Sequence, residues 1–284
     1  MSNRSGELVL IKGAGDLATG VAIRLHWSGF RVVMTELPAP TMVRRAVSFG
    51  EAVYDGAATV EGVTARLSTD VTSALEALKH DVIPVLVDPD STCVAQLKPD
   101  VLVDAILAKM NTGTSRADAS LVIALGPGFC AGEDCHAVVE TNRGHWLGRV
   151  IWQGSAQPDT RVPGLIKGKQ TERVLRAPAT GLFRALCAIG DRVEQGQPVA
   201  EVGGVTLFAS FAGIVRGLIH DGTQVTADLK VGDIDPRGEP SFCSFVSEKS
   251  LAIGGAVLEA ILSWRNGVDT ERAYDALLRS QSRI

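Results

Sequence analysis

"ELVLIKGAGDLATGVAIRLHWSGFRVVMTEL" (residues 7–37) decides the fold class. A short apolar strand, Leu8 to Lys12, runs into the turn Gly13-Ala14-Gly15. Leu17, Val21, Ile23, Leu25 and Trp27 then spread over a helix-length segment, and Gly29 supplies its stop. A second strand, Arg31 to Thr35, ends at Glu36. Gly13-x-Gly15-x-x-Ala18 fits the G-x-G-x-x-G/A fingerprint in its required strand–turn–helix context. The first glycine permits the tight turn, the second lets backbone approach a phosphate, and Ala18 lets the helix pack on the strand. Free N–H groups at the helix start favour an anion, and Glu36 stands where an acid accepts from ribose hydroxyls. Asp16 caps a helix well but places a negative charge where a pyrophosphate would lie. A dinucleotide site and a glycine turn serving only strand–helix packing, or another anionic ligand, both remain open on these residues.

Working outward, "DVIPVLVDPD" (81–90), "DVLVDAILAK" (100–109) and "SLVIALGPG" (120–128) are near-continuous apolar runs, as expected of parallel strands covered on both faces. "TMVRRAVSF" and "DVTSALEALK" read as helices between strands. Each run ends in groups able to touch a ligand: Gly13–Gly15, Glu36, Asp88, Lys109 with Asn111, and Gly126-Pro127-Gly128. Ligands of open α/β sheets bind outside the carboxyl ends of the strands, so these ends predict one shared crevice. "HAVVETN" and "HWLGRVIW" read as a β-hairpin near 136–152 with its loop at 141–144. That register sets Glu140 opposite His145 and gathers His136, Glu140 and His145 near Cys135.

In the second half, residues 177–202 align with 209–234, matching Gly181 with Gly213, Arg184 with Arg216, Gly190 with Gly222 and Val193 with Val225. Two related β-units follow. Their pattern resembles the biotinyl/lipoyl barrel-sandwich hybrid. That family carries its modified lysine in the hairpin joining the halves, whereas the join here, "GGVTLF" (203–208), has none, so no biotin or lipoyl attachment is expected. The expected organisation is a Rossmann-like α/β domain at 5–170, a barrel-sandwich-hybrid β-domain at 171–240 and a C-terminal helical segment at 241–284.

Bulk properties set limits. A chain of 284 residues with 45 % hydrophobic and 21 % charged residues builds full globular cores, and its length predicts more than one. A net charge of −4, with no basic block, gives no attraction to nucleic acid. No window reaches the length of a membrane span, and the N-terminal apolar run is too short for a signal peptide. Five scattered cysteines argue against a disulfide framework. A cytoplasmic protein without nucleic-acid or membrane partners is the expectation, with oligomeric state open.

"GPGFCAGEDCHAVVETNRGH" (126–145) concentrates cysteine and histidine. Cys130, Cys135, His136 and His145 match no standard zinc spacing, and no metal site is assigned. A thiolate at Cys135 aided by His136, His145 and Arg143 competes with a buried cysteine acting as a small hydrophobe.

Together with "LVLIKGAGDLATGVAIRLHWSGF", "ERVLRAP", "VGDIDPRG" and "AIGGAVLEAIL", that stretch resembles the selenium-dependent molybdenum-hydroxylase accessory proteins over nearly the whole chain. The first half also resembles the xanthine dehydrogenase accessory proteins, from which it departs by Asp16, commonly His there, and by its β-module. The resemblance implies a maturation factor that binds a molybdopterin-type cofactor or nucleotide and serves an apo molybdenum hydroxylase. Cys135 would then be the thiol facing the cofactor, ahead of Cys130, with Glu140, Arg143 and His145 orienting it. An NAD(P)-dependent oxidoreductase and a non-catalytic scaffold are the alternatives, so whether the chain is an enzyme stays open. Asp233, Asp235 and Arg237 read as an ion-pair turn or a crevice contact, with structure favoured. Gly254-Gly255 inside a helical pattern predicts close backbone packing.

Overall fold

A computed structural model describes residues 6–160 and 162–270. Strands β1 (Leu8–Lys12) and β2 (Arg31–Glu36) pair in parallel and are joined by helix α1 (Asp16–Trp27). The chain continues through β3 (Ala57–Val60), β4 (Val63–Ser68), helix α3 (Val71–Leu78), which follows the one-turn α2 (Ala52–Asp55), and β5 (Ile83–Val87). After the short α4 (Val94–Leu97) come β6 (Val101–Asp104), β7 (Leu121–Leu125), β8 (Ala137–Val139) and β9 (Val150–Ile151). The nine strands form one sheet in the order β3-β4-β5-β2-β1-β6-β7-β8-β9, parallel from β4 to β8 with an antiparallel strand at each edge. Val9, Leu10 and Ile11 are fully buried because both faces are covered. One face packs on α1 and α5 (Glu248–Arg265), the other on α3 and α4. The strand order turns outward in both directions at β1, between β2 and β6, which is where an open sheet leaves a ligand crevice.

Several local expectations are corrected. Residues 41–49 make single 3-10 turns at Arg45–Val47 and Phe49–Glu51 rather than a helix. The β3–β4 hairpin, turned by Glu61-Gly62 at positive φ, was not anticipated. β8 and β9 do pair antiparallel, but with Val138 opposite Ile151 and Val139 opposite Val150, so the connection is longer than 141–144 and Glu140 bonds to Arg149. Its cause is Glu140, buried at 2 % exposure, whose carboxylate accepts the N–H groups of Asn142 and Gln157 at 2.6 and 2.7 Å and so shapes the loop from within.

Residues 174–235 form two four-stranded antiparallel sheets, ordered β10-β17-β15-β12 and β14-β13-β11-β16. Here β10 is Val174–Arg176, β11 Gly181–Ala185, β12 Arg192–Val193, β13 Pro198–Val202, β14 Val205–Phe208, β15 Gly213–Leu218, β16 Gln224–Val225 and β17 Lys230–Asp235. The repeat is visible as β11–β12–β13 followed by β15–β16–β17 at matching positions. The halves interlock, since β12 pairs with β15 of the other unit and β16 pairs with β11. At their seam Arg173 and Arg216 are buried against Asp233 and Asp235, and Arg237 closes on Asp235 with bonds of 3.0 and 2.6 Å. The "GDIDPRG" stretch is thus an ion-pair turn.

Helix α5 returns to the first sheet and runs in the same direction as α1, Gly20 facing Ser250 and Arg24 facing Gly254. A Cβ on Gly254 would stand 2.7 Å from the Gly20 carbonyl oxygen, the close approach its glycine allows. The part of the C-terminal helical segment beyond Thr270 lies outside the described residues. Among the described residues no helix is long and apolar enough to cross a membrane.

Candidate functional site

A crevice of about 650 Å³ opens at the carboxyl ends of β1, β2, β5 and β6. Gly13 turns the chain there with φ +91°, and its N–H is tethered to the Thr35 carbonyl at 2.9 Å. A Cβ on Gly13 would lie 3.1 Å from the Ala105 oxygen, so this glycine is required by backbone and packing alike. Gly15 differs. Its φ of −70° suits any residue, and a Cβ there would meet nothing within 4 Å, although Gly15 lines the crevice. As N-cap of α1 it offers no side chain, and the N–H groups of Asp16, Leu17 and Ala18 have no partner among the described residues.

Two acids bracket this turn. Glu36 accepts the Ala14 N–H at 2.8 Å and the Leu37 N–H at 2.7 Å. Burial pushes its carboxyl up, against the lowering effect of those two amides. Asp16 pairs at 3.8 Å with Arg44, whose side chain is 8 % exposed and also donates to the carbonyls of Phe242 and Phe245 at 2.9 and 3.0 Å. Asp16 is therefore partly neutralised where an anion would approach. Nε and Nη1 of Arg44 are buried without a hydrogen-bond partner. Sequence reasoning missed Arg44 because its carbonyl partners lie some 200 residues along the chain (|i−j| of 198 and 201). Lys230 and Leu229 of the β-module complete the far wall.

Asp88 lines the crevice while capping the turn behind it, accepting from Thr92 N–H and Oγ1 at 3.0 and 3.1 Å and from Cys93 N–H at 2.8 Å. Burial opposes its ionisation, but those bonds prevail and hold the carboxyl below its usual range.

The single crevice expected from the strand ends is divided. Lys109 pairs with Asp159 at 2.6 Å, and Asn111 holds the Gly113–Thr114 loop by accepting both N–H groups. Gly126 and Gly128 have positive φ, and a Cβ on either would strike Thr141 or the Lys109–Met110 backbone. They are needed for packing. This region borders a separate pocket of about 200 Å³ lined by Pro127, Arg143 and Lys249. Arg143 is ion-paired with Glu248. Burial, then the Arg143 charge, pulls the Lys249 ammonium below its ordinary range.

The expected gathering of His136, Glu140 and His145 around Cys135 does not occur. His136 accepts the Val122 N–H through Nδ1 at 2.9 Å and sets its ring edge-on to Trp264. Burial, then Arg116, lowers its pKa. Glu140 is committed to its loop, and His145 is exposed. Cys135 is fully buried, and burial, with Asp134 and Cys130 next, pushes its thiol up to about 12. A thiolate at neutral pH does not fit that environment, and Cys135 acts as a small core hydrophobe.

A buried chain of polar groups under the turn was also missed. Lys12 Nζ donates to Thr114 Oγ1 at 2.7 Å, which donates to Asp104 Oδ2 at 2.6 Å. The lysine that ends "LVLIK" and the aspartate that ends "VLVD" were the available signals.

Fold and site together define a class: an α/β protein with a crevice at the strand-order switch, walled on one side by a repeated β-module. Among known proteins, the chain is 53 % identical over 262 residues to the uncharacterized protein YqeB of Escherichia coli (strain K12), a match covering 92 % of this chain and 48 % of that protein. The chain spans about half the length of the curated relative it matches. No protein-family model matches. Solved structures with some likeness include an aspartoacylase family protein from Mesorhizobium loti, 11 % identical with a TM-score of 0.28 over 81 % of this chain and 85 % of that one. Another is the apo ectoine utilization protein EutE (DoeB) from Ruegeria pomeroyi, 14 % identical with a TM-score of 0.25 over 81 % and 86 %. At those scores the likeness carries no weight for function.

Proposed function

We propose that this chain is an accessory factor that binds a molybdopterin-type cofactor or its nucleotide form in a Rossmann-like crevice and delivers it to an apo molybdenum hydroxylase. Gly15 carries the binding part of this reading. It lines the crevice, yet neither its backbone angles nor any neighbouring atom requires a glycine. A ligand lying against the backbone does. Three unpartnered N–H groups of the α1 start point to an anionic group, phosphate or pyrophosphate, in that place. Arg44, behind Asp16, and Lys230 supply positive charge. The delivery part rests on the sequence resemblance and on the barrel-sandwich-like β-module, which forms a wall of the crevice and offers a surface to a partner.

The NAD(P)-dependent oxidoreductase reading is weaker, because the acid that would take ribose hydroxyls is held by the Ala14 and Leu37 amides. Mass spectrometry of small molecules released from natively expressed protein, joined to thermal-shift measurements, tests the choice. A molybdopterin-type species in the extract and stabilisation by it support the proposal. Stabilisation by NAD(P) alone, with a change in nicotinamide absorbance, would replace it with the oxidoreductase. No small-molecule stabilisation at all would leave the scaffold.

A further inference from the structure

The short helix α2 and the turn between β15 and β16 meet beside the crevice. Glu51, Asp55 and His220 converge there, their ligand-type atoms all within 4.8 Å of one another. We propose that these three side chains form a site for a divalent first-row transition metal, of the Zn²⁺ or Mn²⁺ type, that clamps the β-module to the α/β sheet.

Three independent features support a built site. His220 Nδ1 lies 2.8 Å from the Asp221 carbonyl oxygen, which can only accept, so Nδ1 carries the proton and Nε2 presents a lone pair. A ligating histidine usually donates its other ring N–H to such an acceptor, fixing tautomer and orientation. The imidazole is also stacked on Tyr54, with centroids 3.8 Å apart and planes 9° from parallel, and Tyr54 is itself anchored by its hydroxyl to the Pro40 carbonyl at 2.7 Å. The ring cannot swing freely.

Glu51 supplies the second feature. Its side chain is 10 % exposed, and Arg45 donates to Oε1 at 2.8 Å. Oε2 is buried with no hydrogen-bond partner. A buried carboxylate oxygen left unpaired costs free energy unless something else satisfies it, and a cation held by this cluster would do so. Asp55 is the third feature. It stands four residues after Glu51, on the same face of the turn, with its carboxylate open to solvent. One imidazole and two carboxylates form a borderline set suited to Zn²⁺ or Mn²⁺, and three protein ligands leave a coordination position for water.

Spacing could not reveal this set, since His220 comes from the second half of the chain. Arg45 reinforces the same junction by donating from Nε to the Leu218 carbonyl at 3.1 Å.

The test uses the full chain, stripped with chelator under reducing conditions, and titrates Zn²⁺ and Mn²⁺ by calorimetry with thermal melts alongside. One ion per chain, a raised melting midpoint, and at least tenfold weaker binding in both His220→Gln and Asp55→Asn are expected. These two partly or fully exposed positions keep the test sound should Glu51→Gln disturb Arg45. Absence of saturable one-site binding overturns the proposal. So does binding undiminished in both variants, because the ion is then held elsewhere, as by the half-buried thiols of Cys130 and Cys187.

Discussion

Glu36 Oε2 accepts the Ala14 N–H at 2.8 Å, so the acid that ends β2 holds the glycine turn that ends β1. In the pairing of the two strands Lys12 is opposite Thr35, two residues before Ala14 and one before Glu36, and the bond extends the ladder through a side chain. The turn is thereby fixed by the protein itself.

That contact predicts a pH dependence. Burial raises the Glu36 carboxyl above its ordinary 4.5. The folded chain therefore keeps this proton at pH values where the unfolded chain has lost it. With more protons bound in the folded state, stability from this group is greatest below 4.5 and falls as pH rises through the folded-state value. Glu36→Gln removes the titrating group. Urea midpoints measured at several pH values from about 4 to 7 should show the parent losing stability relative to the variant as pH rises.

Thiol chemistry separates a core cysteine from a working one. Burial pushes Cys135 and Cys93 each up to about 12, with Asp134 and Asp88 respectively adding to the effect. Iodoacetamide at mildly alkaline pH should leave both unmodified in the native chain and label them only after unfolding, as read by peptide mass mapping. Cys135→Ala should leave ligand-induced thermal stabilisation unchanged while destabilising the fold by about 1 kcal/mol through its small cavity.

How far the sequence disclosed these features follows from the range of the interactions. The β1–α1–β2 unit was legible because its apolar runs and glycines are local, and Gly13, Gly15, Glu36 and Asp88 do meet in one crevice. The β8–β9 loop was misread because Asn142-Arg143-Gly144 looked like the turn, whereas Glu140 organises the loop through Asn142 and the more distant Gln157. The β3 edge strand was overlooked because it is half exposed and lacks an apolar run. Arg44 and the partners of Lys12 escaped for one reason: the contacting groups lie far away in the chain, and no spacing rule encodes them.

Arg44 predicts a large loss on substitution. Arg44→Ala strands the Phe242 and Phe245 carbonyls and leaves Asp16 without its cation. Removing hydrogen bonds to a charged group costs about 1.5–3 kcal/mol. Chemical denaturation should show that loss, and the segment leading into α5 should exchange amide hydrogens faster.

Helix α5 contains an internal control. Gly254→Ala drives a methyl to 2.7 Å from the Gly20 oxygen and parts α5 from α1, at a cost of about 1–3 kcal/mol. Gly255 faces open space within the same helix, so Gly255→Ala should stabilise by about 0.5–1 kcal/mol. Opposite shifts in melting midpoint from adjacent identical substitutions test the packing of the two parallel helices.

The two glycines of the turn make the sharpest contrast, because the protein itself requires one of them and not the other. Gly13→Ala forces a side chain to φ +91° and into the Ala105–Ile106 backbone, so it should destabilise by about 1–3 kcal/mol whether or not ligand is present. Gly15→Ala meets no protein atom and adopts ordinary backbone angles, so its melting midpoint without ligand should move by less than that of Gly13→Ala. Its methyl, however, projects into the crevice beside the unpartnered α1 amides. Binding of an anionic cofactor, followed by the ligand-induced rise in midpoint, should weaken by at least about tenfold, equivalent to 1.4 kcal/mol. A Gly15→Ala chain that melts and binds like the parent would place the ligand somewhere other than the turn.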